Sequence, residues 1–196
     1  MSANPKSEGG REMDATRESH FVVTKKEKEL ETKWYAVYTR PRFEKQVLKS
    51  LHDQGIEGYL PLIKTMRQWS DRKKMVEVPL FSSYVFVHID RSSYDQVLQT
   101  HGAVKYITFE GKAATIPSEQ IDNLKIIVDS NENVDTTWET RRKGDSVIVT
   151  AGSLKGLKGE LITEGRRKKV LVRIQGIDQN LTVEVHSSLI ETIKER

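Results

Sequence analysis

The chain has 196 residues, no cysteine, a formal charge of +4, and 36% hydrophobic against 31% charged residues. That length allows one large or two small domains, and the polar balance suits small domains with much exposed surface. The lack of cysteine excludes disulfides and thiolate metal sites and fits a reducing cytoplasm, and the mild basic excess permits a phosphate-rich partner without requiring one.

No apolar run approaches the roughly 20 residues of a membrane helix, and Met1–Leu30 holds no apolar stretch of signal-peptide length. A cytoplasmic location is therefore expected. Asn180-Leu181-Thr182 fits a glycosylation sequon, which reads as chance in such a protein.

Charge is not evenly spread. Residues 1–32 carry 6 basic and 7 acidic side chains, and residues 131–142 carry 2 and 3. Residues 33–130 carry 14 and 11, and residues 143–196 carry 10 and 7, so the positive excess coincides with the apolar periodicity. Residues 1–32, rich in Lys, Glu, Ser and Gly, read as a disordered tail that cannot offset its ordering entropy.

Ordered structure is expected to begin at the aromatic and β-branched run Trp34–Thr39, a strand ended by Arg40-Pro41. An amphipathic helix follows over about Arg42–Asp53, with Phe43, Val47, Leu48 and Leu51 on one stripe and Gly55 as the stop. Ile56–Met66 reads as a strand bent or edge-placed by Pro61, and Asp71–Lys74 as a hairpin tip before the Met75–Leu80 arm. Tyr84–Ile89 is the clearest strand. A helix near Ser93–Thr100, capped by Ser92 or Ser93 and closed by Gly102, precedes a strand over Val104–Phe109. A third helix opens at Pro117-Ser118-Glu119-Gln120 and turns Ile121, Leu124, Ile127 and Val128 inward. This order predicts an α+β domain over 33–130, an antiparallel sheet with helices on one face and the other face open to solvent or a partner.

Residues 131–142 lack apolar periodicity and read as a linker. From Lys143 the pattern is pure strand: Val147–Val149, Gly159–Ile162, Val170–Ile174, Leu181–Val185 and Leu189–Ile193, punctuated by Gly144, Gly152, Gly156, Gly159, Gly165 and Gly176. Five short strands in about 50 residues suit a small closed all-β barrel over 143–196. The β-branched strands and the six glycines disfavour any helical alternative.

Three motifs carry a family resemblance. Gly144–Glu160, an apolar strand running into a Gly-rich loop and a second strand, is similar to the KOW motif, whose domain is an SH3-like barrel. Trp34-Tyr35-Ala36-Val37-Tyr38-Thr39, with Leu80-Phe81-Ser82-Ser83-Tyr84-Val85-Phe86-Val87 after it, resembles the NusG N-terminal domain, which usually reads W-Y-x-x-x-T and L-F-P-G-Y-x-x-V. Ser82-Ser83 stands where that family often has Pro-Gly or Pro-Asn. The short middle loop, the basic character and the charged tail are nearest to specialised paralogues such as the RfaH and UpxY antiterminators.

The resemblance implies a transcription elongation and antitermination factor. Its N-terminal domain would dock on the clamp helices of RNA polymerase, suppress pausing and touch the non-template DNA strand. Its KOW domain would recruit a termination factor or a ribosomal protein. Polymerase contact is carried to Tyr38 and Phe81, extended by Tyr84 and Ile116, with Ser92 and Ser93 meeting polymerase across the channel. DNA contact is carried to Arg40, Arg42, Lys45, Lys49 and Arg91. Helical spacing supports this for Arg42, Lys45 and Lys49, which neighbour one another beside a helix N-terminus. Leu154 and Leu157 are candidates for an exposed partner site in the KOW loop. The bland alternatives are core packing for the aromatics, a solvated face for the cations and simple capping for the serines. Charge at Arg72-Lys73-Lys74 and Arg166–Lys169 reads first as solubility at hairpin tips.

No enzyme is expected. The histidines at 20, 52, 88, 101 and 186 lack metal-ligand spacing, residues 152–158 lack the spacing of a phosphate loop, and no G-x-S-x-G or Cys-His pair exists. No cofactor or metal is expected, and the chain reads as a monomer. An RNA-binding or ribosome-associated KOW protein is the competing function.

Overall fold

The computed structural model describes residues 31–69, 72–130, 132, 134–137, 144–164, 167–177 and 179–193, and the tail expected over residues 1–32 lies almost wholly outside them. Residues from Thr32 onward form one compact unit.

Strand β1 (Lys33–Thr39) organises the first half of that unit. It pairs antiparallel with β5 (Tyr84–Ile89) from Lys33 opposite Ile89 to Tyr38 opposite Tyr84. Its other edge pairs with β6 (Ala103–Tyr106) and, beside Trp34 and Tyr35, with β9 (Thr115–Ile116). The short β2 (Glu57–Tyr59) adds to the far edge of β5. The strand expected over Ile56–Met66 is thus cut at Leu60-Pro61, where proline removes a ladder donor. Its second part, β3 (Leu62–Gln68), leaves the sheet and pairs with β4 (Lys73–Pro79) as a separate two-stranded ribbon. Strands β7 (Thr108–Phe109) and β8 (Lys112–Ala113) make a small hairpin.

Period-2 alternation gives the main sheet two apolar faces. Tyr35, Val37, Val85, Val87 and Ile89 pack with Val47 and Leu51 of α1 (Glu44–Asp53) and Val97 of α2 (Tyr94–Gln99). The opposite face, Trp34, Ala36 and Phe86, packs with Ile121, Leu124 and Ile127 of α3 (Ser118–Ser130). Helices therefore lie on both faces, and the face expected to be open is covered. The stripe on α3 was readable from spacing, but spacing does not say which side of a sheet a helix takes.

The C-terminal part is a six-stranded antiparallel sheet in the order β10-β14-β13-β12-β11-β15. These strands are β10 (Val134–Thr137), β11 (Ser146–Val149), β12 (Lys158–Glu164), β13 (Arg167–Arg173), β14 (Asn180–Glu184) and β15 (Ile190–Thr192). Among the described residues the ladder runs from β10 to β15 without joining those ends. Strand β10 lies inside the stretch expected to be a linker and pairs with β14 from Val134 opposite Val183 to Thr137 opposite Asn180. A single apolar cluster runs from Trp34 and α3 into Val147, Leu157, Val172 and Leu181 of this sheet.

Polar contacts fasten α3 to the C-terminal sheet. The Asn123 side chain donates to the Lys158 carbonyl at 3.0 Å and accepts from the Lys158 N–H at 3.1 Å, reading a strand edge in both directions. Glu119 lies 3.4 Å from the Lys158 ammonium, and Gln120 Oε1 accepts from the Gln175 N–H at 2.7 Å. Gly176, at φ +80, lets the β13–β14 turn approach the first half closely, since a Cβ there would meet Ile107 Cγ2 at 3.0 Å.

Candidate functional site

The two aromatic motifs of the resemblance meet in space. Tyr38 and Tyr84 are cross-strand partners at the end of the sheet, both half-buried, with ring centroids 5.6 Å apart and planes at 76°. Edge-to-face contact of this kind holds two large apolar surfaces in fixed relation at a solvent boundary. Between these rings and α1 runs the Phe81–Tyr84 turn. Its Ser83 sits at φ +67, in the left-handed region, and its N–H donates at 2.7 Å to the buried Glu44 carboxylate. The Thr39 N–H in turn donates to the Ser83 carbonyl at 2.8 Å. The start of α1 is thereby clamped to the turn that presents Tyr84.

Phe81 and Ile116 do not join an exposed patch. Phe81 is 1% exposed and packs edge-on against Phe86 at 6.3 Å, and Ile116 is 3% exposed opposite Trp34. The resemblance carries polymerase contact to Phe81, with Ile116 as an extension, but the core alternative holds for both, and a side chain beside a turn has no period that marks its side. Leu154 and Leu157, expected as an exposed pair in the Gly-rich loop, are also buried. Gly152 and Gly156, at φ +84 and +90, fold that loop so that its leucines turn into the core.

The basic residues are exposed as expected. Arg40 and Arg42 precede α1, which begins at Glu44 rather than Arg42, and Arg42 itself sits at φ +69. Lys45 and Lys49 lie along α1, and the Lys45 ammonium donates to the Glu77 carbonyl of β4 at 3.1 Å. Arg42 and Lys45 line one groove with Arg67, Val78, Pro79 and Ser82. Arg91, Ser92 and Ser93 form a 3-10 turn just past Ile89, at the end of β5 opposite Tyr84. Asp90, not either serine, is the cap. Its Oδ1 accepts both backbone N–H groups, at 2.8 and 3.1 Å, and both hydroxyls, at 2.6 and 3.2 Å. The Ser92 hydroxyl, then the two amides, hold the Asp90 carboxyl below its usual range.

Sequence reasoning gave little weight to the β3–β4 ribbon, yet it carries much of the exposed apolar surface: Met66, Trp69 and Met75 are 58%, 55% and 52% exposed. The signal was present in an aromatic-basic arm with no apolar period. At the base of the ribbon, burial and then the Asp129 charge push the Tyr59 hydroxyl up to about 12. Among the described residues no three His, Cys, Asp or Glu side chains gather as a metal site, and no helix is long and apolar enough to cross a membrane.

Comparison with known proteins follows the same lines. Residues 32–125 match the family model described as transcription termination factor nusG. A solved structure of Thermotoga maritima NusG, described for its domain interaction, is 21% identical, with 83% of this chain and 98% of that one covered at a TM-score of 0.45. Two crystal conformations of an MjSpt4:Spt5 complex are each 15% identical over 83% of this chain, at TM-scores of 0.30 and 0.26. They cover 97% and 99% of the matched chains. Residues 32–125, which hold both aromatic motifs on adjacent paired strands, are the part of the chain that matches the NusG family.

Proposed function

We propose that this protein is a transcription elongation and antitermination factor that binds RNA polymerase through the Tyr38–Tyr84 end of its main sheet. The observation that carries the reading is the match of residues 32–125 to the NusG family, with its two motifs paired along β1 and β5. Tyr38 and Tyr84 are the members of the candidate patch that keep exposed ring surface, and tyrosine supplies contact area at low entropic cost. Phe81 and Ile116 serve beneath them by fixing the sheet and the turn. The target is the clamp helices, and the effect is reduced pausing. Arg40, Arg42, Lys45 and Lys49 face the non-template strand, while Arg91, Ser92 and Ser93 meet polymerase on the opposite side. The C-terminal sheet recruits a second protein, a termination factor or a ribosomal protein, through a surface other than Leu154 and Leu157.

A pull-down from native lysate with crosslink mapping tests the docking. The parent chain is expected to retain polymerase and crosslink to its largest subunits. Tyr38→Ala with Tyr84→Ala is expected to weaken retention roughly 10- to 100-fold, the range of a small hot spot. Unchanged retention in the double variant, or capture of ribosomal subunits in place of polymerase, would defeat this reading.

A further inference from the structure

The β3–β4 ribbon stands apart from both larger sheets, and its register sorts its side chains. Met66 opposite Met75 and Gln68 opposite Lys73 fall on one face. Arg67 opposite Lys74 fall on the other, and the same register places Trp69 there with Arg72, whose carbonyl accepts the Trp69 N–H at 2.8 Å. This second face continues to the ribbon base through Thr65 opposite Val76 and Ile63 opposite Val78, so among the described residues of this face none carries a carboxylate. It is an aromatic platform, 55% exposed, set among three cations.

Two features mark this face as built for a polyanion. Arg67 and Lys74 are direct cross-strand neighbours, and like charges so placed destabilise a ribbon unless something else offsets the repulsion. The face also does not end at the ribbon. Arg67 and Val78 line the groove shared by Arg42 and Lys45 at the start of α1, and Lys45 reaches the β4 main chain. The one carboxylate lining that groove, Glu44, is buried and accepts the Ser83 amide. Cations thus continue from the ribbon tip to the first helix, with a tryptophan at the outer end.

We infer that this track binds single-stranded nucleic acid, with an unpaired base stacked on Trp69 and phosphates held by Arg67, Arg72 and Lys74 before the strand passes to Arg42 and Lys45. Cations alone would take any polyanion. The exposed indole favours a strand whose bases are free to stack, because every base has a π-face and a duplex hides it. The inference extends the proposed DNA contact to a second element, but it does not depend on polymerase docking and is tested without polymerase.

The test is fluorescence anisotropy of labelled mixed-sequence 20-nucleotide DNA, its RNA counterpart and the matching DNA duplex, titrated with the full chain across a salt series. Single strands are expected to bind more tightly than duplex, and the DNA and RNA arms decide which strand is preferred. Trp69→Ala is expected to weaken single-strand binding roughly 5- to 150-fold, and Trp69→Phe to restore most of it, because stacking survives and the indole N–H does not matter. Arg67→Gln with Lys74→Gln is expected to lower the slope of log affinity against log salt by about 1.4, two phosphates' worth for a single strand. Parent-like affinity in Trp69→Ala, no rescue by phenylalanine, or a preference for duplex overturns the inference. Polymerase retention of the same variants separates the two readings. Retained polymerase with unchanged oligonucleotide binding refutes the ribbon alone. Lost polymerase retention in the parent, with oligonucleotide binding intact, refutes the docking alone.

Discussion

Asn123 is the most exacting test of how α3 holds the C-terminal sheet. Its amide makes two hydrogen bonds to the Lys158 main chain, at 3.0 and 3.1 Å, and the residue is 6% exposed. Each such bond contributes about 0.5–1.5 kcal/mol net, and a buried donor or acceptor left unpaired costs about 1–3 kcal/mol. In Asn123→Ala both Lys158 groups lose their partner on this side, so a loss of about 2–4 kcal/mol is expected. Water entering from the adjoining groove, lined by Glu119, Lys158 and Arg173, favours the lower end. Urea unfolding gives the total, and amide exchange at Lys158 gives the local part, which should speed up before the main sheet does. Asn123→Asp is the control, since a carboxylate can accept the Lys158 N–H but cannot donate to its carbonyl. A loss below about 0.5 kcal/mol in Asn123→Ala with unchanged exchange would refute the account of this contact.

Four further outcomes are expected. Phe81→Ala should cost about 3–5 kcal/mol in thermal or urea unfolding, because it empties a buried aromatic site, and any loss of polymerase binding it brings should track unfolding. Ser83→Gly should stabilise the fold by up to about 1 kcal/mol, since Ser83 holds φ +67 and its bond to Glu44 is made by the backbone. Gly176→Ala should destabilise by more than about 1 kcal/mol, through its φ of +80 and contact with Ile107, measured by the same unfolding. The Asp90 carboxyl has a lowered folded value, so its contribution is present above the ordinary carboxylate range and fades as pH falls through that lower value. Protection of the Ser92 and Ser93 amides, taken relative to their intrinsic exchange rates, should fall in acid, and Asp90→Asn should remove that loss of protection.

The elements were largely legible because their periods are strong. Val47 and Leu51 gave α1, Ile121, Leu124 and Ile127 gave α3, and Tyr84–Ile89 gave its strand outright. Side and neighbourhood were not legible. Nothing local to Trp34 or Phe86 says that α3 covers them, and nothing local to Leu154 says that positive-φ glycines turn it inward. Strand β10 was hidden because Val134–Thr137 draws its partner from β14, some 45 residues on, and edge pairing leaves little apolar signature. The exposed cations were readable since long charged side chains rarely bury. Phe81 and Ile116 were misplaced for the complementary reason: a lone apolar residue beside a turn is equally at home in a core.

The clasp between α3 and β12 also sets an order of events in synthesis. The helix leaves the ribosome well before Lys158 and Gln175, so its Asn123 and Gln120 amides wait in water while the first sheet already has Ile121 and Leu124 to pack. Nascent chains fold their earlier part first. Completion of this molecule therefore falls to its late-made strands, which arrive at a surface already shaped to receive them.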